Sequence, residues 1–101
     1  MIRRIVTVTL ENGLHMVPAS EIAKAVRDFH GRVVLRRDNI IADAHSVLDL
    51  LQLRAECGTN LEVEAEGDGD ALVVDAIAQL FALNFAVERP TAARRAGTDG
   101  T

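Results

Sequence analysis

A single cysteine rules out an internal disulfide framework and any cysteine-rich metal site. Tryptophan and tyrosine are absent and phenylalanine occurs three times, too few rings for the platforms on which single-stranded bases stack. Positive charge is also scarce. Acids outnumber bases 15 to 11, for a net charge of −4, so the basic footprint of a nucleic-acid binder is missing. Ten of the eleven bases are arginine and one is lysine, which reads as genomic bias more than as function. No apolar run approaches the ~18 residues of a membrane span. The opening Met1-Ile2-Arg3-Arg4-Ile5-Val6 has a basic pair but lacks the apolar core of a signal peptide. A cytoplasmic protein is the expectation.

The 101 residues suit one domain. An apolar share of 49% and a charged share of 26% are those of a globular chain. Residues 5–10, I-V-T-V-T-L, alternate as a half-buried strand. From Met16 to Phe29 the apolar positions Ala19, Ile22, Ala23, Val26 and Phe29 recur at helical spacing, with Pro18 in the first turn where its missing N–H is harmless. His30-Gly31 is expected to close that helix, Gly31 in the left-handed position after the cap. Strands follow at 32–37 and from Ile40 to Ala42, joined by the turn pair Asp38-Asn39. Ser46 then opens a short, very apolar helix over 47–53.

Residues 61–66 alternate strictly: Leu61, Val63 and Ala65 inward, Glu62, Glu64 and Glu66 outward onto a solvated face. A last helix spans 71–85, with Leu72, Val73, Ile77, Leu80, Phe81 and Asn84 near one face. Residues 86–101 lose periodicity and read as a mobile tail, so the domain is placed at 1–85. The order β-α-β-β-α-β-α predicts a two-layer α+β fold, a four-stranded antiparallel sheet with three helices on one face.

The chemistry concentrates in Asn12-Gly13-Leu14-His15-Met16-Val17-Pro18-Ala19. This segment sets a histidine between a strand-ending glycine and a helix-opening proline. The first N–H groups of a helix lack partners, and the macrodipole adds about half a positive charge there. Such an end suits phosphate. A neutral imidazole beside it keeps a lone pair on one ring nitrogen, which makes His15 a candidate nucleophile toward phosphorus. Helix capping is the structural alternative. Ser46, with Asp49 three residues on, has the pattern of an N-cap.

The segment resembles the active-site signature G-[LI]-H-x-R-P-A of HPr, the histidine-containing phosphocarrier of the bacterial sugar phosphotransferase system. It stands here as Gly13-Leu14-His15-Met16-Val17-Pro18-Ala19. Ser46 lies where the family's regulatory serine opens a short apolar helix, Gly58 falls in the following loop, and residues 61–67 look like the family's last strand. The resemblance covers residues 3 to 85 and implies an open-faced β-sandwich. It further implies a phosphoryl group carried on His15, received from enzyme I and passed to sugar-specific or regulatory acceptors. The chain would then be a covalent relay and not a stand-alone enzyme. No metal or organic cofactor and a monomeric carrier are implied.

Phosphorylation of Ser46 by an HPr kinase/phosphorylase, and binding of a transcription regulator, belong to the same resemblance. So does a docking surface formed by Val47, Leu48, Leu51, Ser20 and Arg27. Two residues depart from the pattern. Val17 replaces the arginine, and Met16 replaces a small or polar residue. Arg3, Arg4 and Arg54 are the candidates to supply the missing charge. A regulatory binding module switched at Ser46, with weak or no relay, is the second reading. A structural α+β domain without phosphochemistry is the third. His30 is expected at a helix C-terminus, His45 before a cap, and Cys57 in a loop; a site joining His15, His30 and His45 has no support in their spacing.

Overall fold

The computed structural model describes residues 1–85; the expected tail, 86–101, lies outside the described residues. Seven elements follow one another: β1 (Ile2–Thr7), α1 (Met16–Ala25), β2 (Arg32–Arg37), β3 (Ile40–Asp43), α2 (Val47–Gln52), β4 (Asn60–Glu66) and α3 (Asp70–Ala82). The strands form one antiparallel sheet in the order β1-β4-β2-β3. One face carries the helices and the other is open, as the order of elements predicts.

The core lies between sheet and helices. Val6 and Val8, Val33 and Leu35, and Leu61, Val63 and Ala65 meet Ile22 and Val26, Leu50 and Leu53, and Val74, Ile77 and Phe81. The period of two along the strands and of 3.6 along the helices brings these residues to one layer. Burial of each large aliphatic side chain contributes about 1.5–3 kcal/mol. That gain offsets the conformational entropy of ordering the chain.

Several boundaries differ from the sequence reading. The first strand covers 2–7 instead of 5–10. Arg3 and Arg4 belong to it because acidic side chains receive both of them. Arg3 Nε lies 3.5 Å from Glu64 on the open face, and Arg4 Nη2 lies 2.7 Å from Asp75 of α3. The first helix stops at Ala25, four residues early. Val26 and Phe29 keep their helical spacing, but they reach the core from a cap and a turn. His30 is therefore not at a helix terminus.

Gly31 does not take the left-handed conformation expected of it. Its requirement is steric: a Cβ would collide with the Glu66 carbonyl oxygen and sit 2.7 Å from the Phe29 ring. The last helix runs from Asp70 to Ala82, and Leu72 is 76% exposed, whereas Val73, Val74, Ile77 and Phe81 form the buried face.

The open face of the sheet holds a charge cluster that a row of solvated glutamates did not foretell. Glu64 is only 5% exposed. Its carboxylate meets Arg3, Arg32 (3.2 Å) and Arg36 (3.3 Å), and Arg36 also reaches Glu62 at 2.6 Å. The sheet register sets Arg3 directly opposite Glu64 and Arg36 opposite Glu62. Opposite charges facing across strands contribute about 0.2–1 kcal/mol each. Arg3 and Arg32 are more than half exposed, so solvent screening keeps their share small.

Candidate functional site

The helix that carries the site starts where the sequence places it. His15 is the N-cap of α1, in extended conformation, with no side-chain hydrogen bond to the helix. Its carbonyl accepts from the Ala19 N–H at 3.0 Å, the first bond of the helix. Met16 and Val17 hold the first two helical positions and Pro18 the third, which has no N–H to satisfy. Among the described residues, nothing accepts a hydrogen bond from the Met16 or Val17 N–H. Two backbone donors thus stand at the positive end of a ten-residue helix, beside an exposed imidazole.

Rigidity comes from both flanks. Leu14 is buried and its N–H donates to the Ala55 carbonyl at 2.8 Å. Pro18 and Ala19 are buried on the other side. Gly13 takes φ +72°, and a Cβ there would lie 2.6 Å from the Ala55 oxygen and 3.1 Å from Glu56 Cα. The loop before His15 therefore rests on the backbone of residues 55–56, and only a glycine fits.

The other candidate residues fall into distinct places. Ser46 is the N-cap of α2: Asp49 N–H donates to its Oγ at 3.2 Å. Ser20, Arg27 and Val47 come together along one groove between α1 and the start of α2, with Ala23, Lys24 and His45. Leu48 is 70% exposed and Leu51 half-buried on α2, while Leu50 and Leu53 go to the core. His45 does more than precede a cap. Its ring bridges the Phe29 carbonyl, 2.9 Å from Nε2, and the Asp43 carboxylate, 3.1 Å from Nδ1, tying the loop after α1 to β3.

His30 is exposed on the loop before β2, and Cys57 is exposed after α2. Of the three arginines that were candidates to replace the family's, Arg3 and Arg4 are held on the sheet by Glu64 and Asp75. The open-face cluster around Glu64 escaped the sequence reading. Its signal, glutamates on one strand alternating as arginines do on another, becomes legible only once those strands are known to pair.

The molecule is thus an open-faced sheet covered by three helices, with an exposed histidine at the N-cap of the first. Comparison with known proteins gives it a family. The family profile described as "PTS HPr component phosphorylation site" matches residues 2–82. The chain is 33% identical over 88 residues to the phosphocarrier protein HPr of Treponema pallidum, covering 87% of this chain and all of that protein. It is 33% identical over 85 residues to the phosphocarrier protein NPr of Escherichia coli, covering 83% of this chain and 94% of that one. The crystal structure of HPr from Thermoanaerobacter tengcongensis superposes with a TM-score of 0.81 at 24% identity, over 87% of this chain and 99% of the other. The chain belongs to the HPr family of phosphotransferase-system phosphocarriers.

Proposed function

We propose that this protein accepts a phosphoryl group on the His15 ring from phosphorylated enzyme I and passes it to a sugar-specific or regulatory acceptor. One observation carries the reading: an exposed imidazole with no helix-capping bond, beside two unpaired N–H groups at a helix N-terminus. In the transfer, the lone pair of one ring nitrogen forms the bond to phosphorus as the bond to the donor breaks. The donor keeps that electron pair and takes up a proton, while the other ring nitrogen of His15 gives its proton to solvent. The Met16 and Val17 N–H groups face the charge that arrives, and a helix end of this kind stabilises an anion by about 0.3–1 kcal/mol in exposed settings.

Incubation with phosphoenolpyruvate and enzyme I should add one phosphoryl group per chain, acid-labile and mapping to the peptide that contains His15 by mass spectrometry. Absence of any label under these conditions would overturn the reading. Val17 is 57% exposed at the second helical position, so an arginine there has room to reach the phosphoryl group. A charge-assisted contact is about 1.5–3 kcal/mol. The variant Val17→Arg should therefore take label faster in rapid-quench assays, by about tenfold where no other side chain holds the group. An unchanged rate would mean that the group is already held.

The apolar Val17 also favours a second reading, a regulatory module that binds its partner when Ser46 is phosphorylated. Ser46 is half-buried and already caps α2. Acid-stable label on Ser46 from an HPr kinase/phosphorylase, with none on His15, would select it. The groove of Ser20, Arg27 and Val47, together with exposed Leu48, supports a docking face for either kind of partner.

A further inference from the structure

Val17 leaves the first turn of α1, beside His15, without a side-chain cation, and the fold sets the segment that follows α2 against the neighbouring loop. Arg54 follows α2 with φ +50°, a left-handed backbone that residues with a Cβ avoid. It is exposed, and among the described residues its side chain has no ion pair or hydrogen bond. The next residue, Ala55, accepts the Leu14 N–H at 2.8 Å, one position before His15. Arg54 is therefore anchored beside the loop that presents the imidazole.

Among the described residues, the other side-chain cations are occupied or distant. Arg3, Arg32 and Arg36 hold Glu64, Arg4 holds Asp75, Arg37 donates to the Leu53 carbonyl, and Lys24 pairs with Glu21. Arg27 lies beyond the far end of α1, about 15 Å or more along its axis from His15. Glu56 belongs to the same segment as Arg54, so without the guanidinium this flank of the loop would carry only negative charge. A strained conformation kept by a long cationic side chain, where glycine would be relaxed, marks a position held for function.

We propose that Arg54 is the phosphate-binding arginine of this chain, its guanidinium closing on the phosphoryl group of His15 in place of a side chain at position 17. The inference rests on the phosphocarrier reading above. It adds a second wall to the site: backbone N–H groups from α1 on one side, and a forked donor from the end of α2 on the other.

The variant Arg54→Gly separates function from folding, because glycine relaxes the left-handed backbone while removing the guanidinium. Its melting temperature should equal or exceed that of the wild type, yet labelling by enzyme I should slow about tenfold or more. Arg54→Lys, which keeps the charge without the fork, should fall between the two. Adding Val17→Arg to Arg54→Gly should restore the rate. Independently, full-length wild-type protein phosphorylated on His15 with phosphoramidate should show a shifted Arg54 Nε–H resonance. Wild-type labelling by Arg54→Gly, or an Arg54 resonance indifferent to phosphoramidate, overturns the assignment. Protein that takes the chemical label but none from enzyme I refutes the carrier reading, while the Arg54 resonance still decides this one.

Discussion

Substituting His15 by alanine will abolish acid-labile phosphate incorporation from phosphoenolpyruvate and enzyme I, and will leave the fold intact. Both halves follow from the same geometry. The ring is exposed and caps nothing, so its removal breaks no intramolecular bond. The N-cap role rests on the His15 backbone, whose carbonyl accepts from Ala19 whatever the side chain. Surface changes of this kind shift stability by no more than about 0.5 kcal/mol. His30 and His45 cannot take over: His45 spends both ring nitrogens on Phe29 and Asp43, and neither stands at the N-terminus of α1. Ser46→Ala should leave the acid-labile label in place, costing about 1 kcal/mol for the lost cap. Acid-labile label that survives His15→Ala would place the phosphoryl group on another residue.

The second large effect is structural in origin and functional in outcome. Gly13→Ala should lower stability by about 2–3 kcal/mol, from left-handed backbone strain plus the loss of a hydrogen bond. In a domain of this size that is a fall in melting temperature on the order of 10 °C or more. The added methyl group would stand 2.6 Å from the Ala55 oxygen, a backbone atom that cannot rotate away. A rigid clash is relieved by separation of the two segments, which breaks the Leu14–Ala55 bond and draws the His15 loop off residues 54–56. Slower phosphorylation should therefore accompany the thermal shift. A variant as stable as the wild type would show that the loop accommodates a side chain, contrary to the packing described.

Much of the layer that faces the helices was legible in sequence, because strict alternation in 61–66 sends Leu61, Val63 and Ala65 to one face; the run in 32–37 left its face open, since Val33 and Leu35 join the core while Val34 is buried on the other side, opposite Glu64. The open face was not. Arg3 and Arg4 look like a poor strand until Glu64 and Asp75 are known to meet them, and Glu64 looks solvated until three arginines cover it. Cross-strand partners are set by register, which local patterns do not carry. Periodicity also overran the first helix, since Val26 and Phe29 serve the core equally well from a turn. At the site, His15 and its flanks are contiguous and could be read directly. Arg54 was one of three candidates there for the missing charge, and what sets its segment against the His15 loop is a hydrogen bond between residues 14 and 55, a proximity that only the fold creates.

The strand order has a consequence for how the chain reaches this state. The β2–β3 hairpin closes across the two residues Asp38 and Asn39, whereas β1 pairs only with β4, near the other end of the domain. The difference in loop closure amounts to roughly 3 kcal/mol of entropy. The N-terminal strand is therefore the last to be rewarded for its contacts. Truncating its buried Val6 to alanine should accelerate unfolding more than it slows folding, visible as movement of one arm of the denaturant chevron. The opposite partition would place β1 in the folding nucleus. During synthesis, at about 5–20 residues per second, the first strand made waits roughly 3–10 s for its only neighbour. Until then it leaves the ribosome as an unpaired edge, and its exposed arginines are the residues that keep such an edge from pairing with another chain.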